Sequence, residues 1–235
     1  MRWFLLSSSV IRGGNISVTE DGIRAGVREL LLPLWSTYYF FTLYANTASA
    51  PAGRVVGEAD GSGPTTGYTA AWRTDSANVL DRYLLAKTRQ VLEQVQTHFD
   101  DFDTPFAAAA LRDFGDVLTN WYVRRSRDRF WAGDDSSPNW RDAFDTLYTV
   151  LETVSRVAAP ILPLVTEEIW RGLTGGRSVH LQNWPDAAAF PSDPALVAAM
   201  DRIREIASSG LALRKTRGLR VRLPLAGLTV VAADA

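Results

Sequence analysis

Apolar residues recur at helical intervals along most of this 235-residue chain. From Thr19 onward, Val27, Leu30, Leu31, Leu34, Trp35 and Tyr38 predict a helix capped by Thr19, with acids in its first turn and a kink or division at Pro33. The stripe Leu80, Leu84, Val91 and Val95 predicts a second helix, capped by Ser76 and ending near "HFDDFD". Thr104 followed by Pro105 predicts the start of a third, which runs through Phe114, Val117, Leu118 and Trp121 into "NWYVRRSRDRFW" and ends at "AGDDSSP". A fourth begins near Trp140 and carries Phe144, Leu147, Tyr148, Leu151 and Val154 as far as Pro160 and Pro163. "LVTEEIWRGL" then predicts a short helix closed by Gly175-Gly176, and Pro194 to about Ser209 a last one.

Between these stretches, residues 48–70 carry no period and are rich in Gly, Ala, Pro, Ser and Thr, which predicts a long mobile surface loop. "SVHLQNWP" reads as one short strand, and "RKTRGLRVRLPL" as extended or strand-like. Connections after the first helix are short. The fold class expected is therefore mainly α, an antiparallel helical bundle with a small C-terminal strand-containing segment. Trp3, Trp35, Trp140, Trp170 and Trp184 lie beside leucine stripes and are expected to pack in or against the core.

Composition narrows the chemistry. At 46% hydrophobic residues the chain can bury a real core, and it has no apolar run of membrane-spanning length. There is no cysteine, and the two histidines, His98 and His180, are far apart, which excludes thiol chemistry, disulfides and the usual zinc sites. A reducing, cytoplasmic setting is compatible with this. No G-x-S-x-G, H-E-x-x-H or glycine-rich phosphate cradle occurs, and the carboxylates fall at helix starts and in loops, where capping and solvation account for them. No catalytic residue, metal ligand or cofactor site is nominated on these residues.

The net charge is only −1, so any nucleic-acid affinity must come from local clusters of basic residues. One cluster is Arg124, Arg125, Arg127 and Arg129, framed by Trp121, Tyr122, Phe130 and Trp131. At about 100° per residue, Arg125 and Arg129 fall on one strip with Trp121, and Arg124 and Arg127 on a neighbouring strip with Asp128. Such a helix is either a solvated face over a core-facing Trp121, or a surface that follows a phosphate backbone while Trp131 stacks on bases. The second cluster, Arg214, Lys215, Arg217, Arg220 and Arg222, contains no acid, and its alternation would set Arg220 and Arg222 on one face of a strand. An edge strand kept soluble by charge would show the same pattern.

Taken in order, "MRWFLLSSSVIRGGNISV", "LLLPLWSTYYFFTLYA", "LDRYLLAKTRQVLEQV", "NWYVRRSRDRFW", "APILPLVTEEIWRGL" and "SVHLQNWP" resemble the region downstream of the catalytic domain in isoleucyl-tRNA synthetases. The likeness covers residues 1–185, and "GLRVRLPLAGLTV" resembles the family's continuation. It implies a connector over 1–18, a helical anticodon-binding domain over 19–185, and a C-terminal helix with short strands over 186–235. The implied partners are the anticodon stem-loop of isoleucine tRNA and the catalytic domain of the same parent chain. The family's H-I-G-H and K-M-S-K-S signatures and its editing domain are missing, so the resemblance implies a fragment of a longer synthetase. ATP and Mg would belong to that parent, and this piece alone would be inactive. Arg2 and Trp3 would then pack on the catalytic domain and leave an apolar patch here.

RNA contacts are expected from Arg124, Arg125, Arg127, Arg129 and Trp131, and from Arg214, Lys215, Arg217, Arg220 and Arg222. Two other readings stay open: the same domain of a valine or leucine synthetase, and a helical protein-interaction module whose arginines pair with Asp101, Asp103, Asp113 and Asp116.

Overall fold

In the computed structural model, which describes residues 1–48, 67–131 and 137–231, a short helix α1 (Arg2–Leu6) precedes the first long helical run. Thr19 opens that run as expected, its hydroxyl accepting the Gly22 N–H at 3.1 Å, with Glu20 and Asp21 in the first turn. Helix α2 (Glu20–Gly26) passes through a π-helical turn (Val27–Leu31) into α3 (Leu32–Thr47). The division predicted at Pro33 thus falls just ahead of it. Proline has no N–H for the carbonyl one turn back, and the wider π turn accommodates its ring.

Helix α4 (Val79–Asp100) is capped by Asn78, whose Oδ1 accepts the Leu80 N–H at 2.9 Å, and not by Ser76. The Ser76 hydroxyl is used elsewhere, 2.7 Å from Asp81 and 3.1 Å from Asp142. Helix α5 (Thr104–Asp116) has Asp103 at its cap position, one residue before the predicted start. It continues through a second π segment (Val117–Val123) into α6 (Arg124–Trp131). The expected stop at "AGDDSSP" falls mostly on 132–136, outside the described residues, as does most of the predicted 48–70 loop. Helices α7 (Pro138–Ala158) and α8 (Pro163–Thr174) follow, and α8 ends on Gly175 in the left-handed conformation at φ 65°.

Two expectations of strand fail. Residues Val179–Leu181 form a 3₁₀ turn, because Glu167 Oε2 receives both the Ser178 hydroxyl and the Val179 N–H at 2.9 Å and the Ser178 hydroxyl takes the His180 N–H. The last helix, α9 (Pro194–Thr216), runs past Ser209, so Arg214 and Lys215 are helical and not extended. It closes in a Schellman motif: Gly218 at φ 65° donates to the Lys215 carbonyl and Leu219 to that of Arg214. Beyond it the chain turns, and no strand occurs among the described residues.

The chain divides into two compact units, Met1–Ser192 and Asp193–Ala235. In the first, α7 is the central helix, packed against α3, α4, α6 and α8, and α5 pairs with α4 across the turn at 101–103. Tyr83, Leu84, Leu85, Phe114, Leu118, Phe144 and Leu147 are fully buried there. Each such side chain contributes about 1.5–3 kcal/mol relative to exposure. Three of the hydroxyls buried along α7 are satisfied within the helix: Thr149, Thr153 and Ser155 each donate at 2.7 Å to the carbonyl four residues back.

Trp140 and Trp170 are buried as expected, and Trp184 is half-buried, edge-on to Phe99. Trp3 is buried within this unit, beside Gly26 and donating to Glu29, so the N-terminal segment does not leave its tryptophan as a patch. Trp35 departs from expectation. It lies exposed on α3 in a stripe with Leu32, Tyr39 and Leu43, on a helix that contains no charged residue. No helix among the described residues is long and apolar enough to cross a membrane.

Candidate nucleic-acid interface

The arginine-rich sequence is helical, as its spacing predicts, and the side chains sort into an inner and an outer set. Ser126 and Phe130 are buried, while Arg124, Arg125, Arg127, Asp128 and Trp131 are exposed. The Phe130 ring packs edge-on to Phe40 at 5.0 Å and Phe144 at 4.7 Å, which seats α6 on α3 and α7. Outside, the Arg125 guanidinium lies 3.9 Å over the Trp121 ring. Arg127 faces Trp131 at 5.4 Å and Phe40 at 5.9 Å, and Trp131 approaches Tyr44 at 6.3 Å. Arginines laid on aromatic rings keep their charge and their planar donors while losing rotamer freedom, a geometry suited to phosphate and to stacked bases. Arg124, Arg125 and Arg127 have no acidic partner among the described residues.

Arg129 behaves differently from the other three. Instead of extending the Arg125 strip outward, it turns in and grips Asp81 bidentately, Nη1 to Oδ1 at 2.6 Å and Nη2 to Oδ2 at 2.7 Å. Its Nη2 and Nε also donate to the Asn139 carbonyl, at 2.8 and 3.3 Å. Asp81 is completely buried and Arg129 only 11% exposed, so this arginine does not share the outer face on which phosphate contacts were expected. An exposed partner would leave Asp81 as an uncompensated buried charge, and breaking such a pair costs about 3–5 kcal/mol.

The carboxylate is held from its other sides by the Tyr122 hydroxyl at 2.8 Å and Ser76 Oγ at 2.7 Å. Burial, followed by the nearby Asp81 charge, pushes the Tyr122 hydroxyl well above its ordinary range, so Tyr122 stays a neutral donor. The chain leading into α4 is fastened to α7 by similar means. Asp145 accepts the Tyr68 hydroxyl and the Ala71 N–H, each at 2.8 Å, and Thr149 Oγ1 accepts the Arg73 N–H at 2.8 Å. Burial raises the Asp145 carboxyl against the Ala71 and Tyr68 hydrogen bonds and the Arg73 charge that hold it down.

The second basic cluster belongs to the second unit. Arg214 is spent on structure: its Nη2 donates to the Arg220 carbonyl at 2.9 Å and also to that of Leu223, folding the turn back on the helix end. Lys215, Arg217, Arg220 and Arg222 are exposed. Arg220 and Arg222 sit in turns, so no strand face aligns them.

Asp81, Tyr122 and Asn139 were not nominated from the sequence, and neither were Phe40 and Tyr44. Asp81 did carry a signal: an acid that falls on the apolar stripe of Leu84, Leu85 and Leu92 must find a cation when that stripe is buried. No group of three or more metal-ligating side chains occurs among the described residues.

Residues 81–231 match the family described as the anticodon-binding domain of tRNA ligase. The isoleucine–tRNA ligase of Leifsonia xyli subsp. xyli is 63% identical over 235 residues, covering 100% of this chain and 19% of the relative. That of Nocardia farcinica is 53% identical over 235 residues, covering 100% of this chain and 20% of the relative. That of Mycobacterium tuberculosis (strain ATCC 25618 / H37Rv) is 52% identical over 230 residues, covering 98% of this chain and 20% of the relative. The chain thus spans about one fifth of the length of the curated relatives it matches.

Proposed function

Because the chain belongs to the anticodon-binding domains of tRNA ligases, we propose that it serves an isoleucine–tRNA ligase, gripping the anticodon stem and loop of isoleucine tRNA. The observation that carries this reading is the outer face of α6, where Arg124, Arg125 and Arg127 are exposed, have no acidic partner among the described residues, and two of them lie over aromatic rings. Phosphate contacts come from these three in the first unit and from Lys215, Arg217, Arg220 and Arg222 in the second, while Trp131, 52% exposed, offers a stacking plane. ATP and Mg, and the aminoacylation they support, belong to the catalytic domain of the parent chain, and the setting is the cytoplasm. The domain's part in that reaction is to bind tRNA and hold it in register.

An interaction module would pair its arginines with acids. Arg129 with Asp81 is such a pair, but it is internal to the bundle, and the outer set has no acidic partner among the described residues. Fluorescence-anisotropy titrations against isoleucine tRNA, an anticodon-swapped version and an unrelated tRNA, at several salt concentrations, test the proposal. Preference for the correct anticodon is expected. Arg124→Ala and Arg125→Ala should each flatten the logarithmic salt slope by about 0.7, the value for one phosphate on a single strand. Equal weak binding to all three RNAs, unmoved by either substitution, would count against it.

A further inference from the structure

We propose that Asp81, acting through Arg129, is a positioning residue for RNA: it fixes the roll of α6 and thereby the direction in which Arg124, Arg125, Arg127 and Trp131 point. This rests on the reading of α6 as the RNA-facing helix. Helix α6 continues the π segment Val117–Val123 without a break, so buried Tyr122 and Val123 set its N-terminal end; over its own eight residues the buried anchors are Ser126 and Phe130, and its C-terminal end is the part left to orient. Phe130 makes ring contacts with Phe40 and Phe144, which resist separation far more than they resist rolling. The Ser126 hydroxyl has no hydrogen-bond partner among the described residues.

Directional hold comes from the Arg129 fork. It engages the first turn of α4 through Asp81 and the first turn of α7 through the Asn139 carbonyl, two points on different helices. A planar guanidinium matched bidentately to a carboxylate defines an orientation as well as a distance. Asp81 cannot swing freely to follow the end of α6, because Ser76, ahead of α4, holds its Oδ2, and Tyr122, two residues before α6 in the same helical run, holds its Oδ1. The exposed arginines lie within five residues of Arg129 along the same helix, so a rotation at the lock is carried to all of them.

The sign of the expected effect separates positioning from charge. Asp81 is an acid, and on charge alone its removal beside a polyanion tightens binding. Positioning predicts the reverse. In Asp81→Asn one oxygen becomes an NH₂ group; the hydroxyl beside it, Ser76 or Tyr122, can turn to accept, but the Arg129 N–H it faces cannot, which opens the fork. Arg129→Lys keeps the positive charge, yet a single ammonium cannot span the Asp81 carboxylate and the Asn139 carbonyl in one geometry.

The test is an equilibrium titration of isoleucine tRNA with the full-length polypeptide as wild type, Asp81→Asn, Arg129→Lys and Arg124→Ala, at several salt concentrations. Thermal unfolding of each variant shows that it is folded at the assay temperature. Asp81→Asn and Arg129→Lys are each expected to bind about tenfold more weakly while folded, the order of a few lost phosphate contacts, and the double variant no more weakly than the worse single one. Binding as tight as or tighter than wild type in Asp81→Asn, with Arg129→Lys unchanged and Arg124→Ala weakened, overturns the proposal and leaves the pair a purely structural one. If Asp81→Asn does not fold, Arg129→Lys decides on the same criterion. A wild type that does not bind tRNA, or an Arg124→Ala variant that binds as well as wild type, defeats the reading of α6 as the RNA face and the proposal with it. That result is told apart because it appears without touching Asp81 or Arg129.

Discussion

A Cβ on Gly172 would fall 1.8 Å from the Tyr38 hydroxyl and 2.9 Å from its ring, so α8 can lie against α3 only where this residue has no side chain. Tyr38 cannot simply swing away, since it is half-buried; burial, then the Glu168 charge, raises its hydroxyl above the ordinary range. Gly172→Ala is therefore expected to destabilise the first unit by about 1–3 kcal/mol, the usual cost of overpacking, measured as a shift in the urea midpoint. Adding Tyr38→Phe removes the clashing oxygen and should recover part of the loss. The sequence around Gly172 says nothing of this, because the demand comes from a helix far away along the chain. Thr19 was legible for the opposite reason: its cap bond reaches only three residues on, to Gly22. The arginines fall between these cases. Their strips followed from helix geometry, but which one turns inward was decided by Asp81, a non-local partner.

Among the elements, α9 runs past the end expected near Ser209, as far as Thr216. Gly210 thus sits inside the helix, and a Cβ there would meet nothing within 4 Å. Gly210→Ala should stabilise α9 by about 0.5–1 kcal/mol, visible as increased helicity and a higher melting temperature. The N-terminal segment depends on pH through Asp103, whose carboxyl is held below its usual range chiefly by the Arg12 hydrogen bond. Glu167 is likewise lowered, first by the Val179 N–H and also by the Ser178 hydroxyl. For a depressed carboxylate the stabilisation is complete above the unfolded value, about 4, and is lost as pH falls through the lower folded value. Two-dimensional NMR should find residues 8–14 and the Ser178–Val179 hold on Glu167 in their folded arrangement between pH 7 and 5. Both should loosen as the pH is taken below about 4.

For the molecule as a whole, the bundle was legible because helical periodicity and short connections are properties of the chain itself. The strand expected from the alternation over 220–223 was not realised, since alternation becomes a strand only where a neighbouring strand supplies hydrogen bonds, and none is present among the described residues. Net charge likewise says little about where charge lies. Helix α3 carries none, and its exposed Leu32, Trp35, Tyr39 and Leu43 form an apolar stripe. The protein should enhance the fluorescence of an apolar dye, and Trp35→Ser with Tyr39→Ser should remove much of that enhancement, as measured by dye titration.

The Arg129 fork has a consequence for the order in which the protein is made. Its two anchors lie 48 residues before it and 10 residues after it. A chain growing from its N-terminus therefore holds every α6 arginine before it has the Asn139 carbonyl that completes their alignment. Domains fold as units during synthesis. The basic helix accordingly acquires the second of its two anchors only once the start of α7 has emerged from the ribosome.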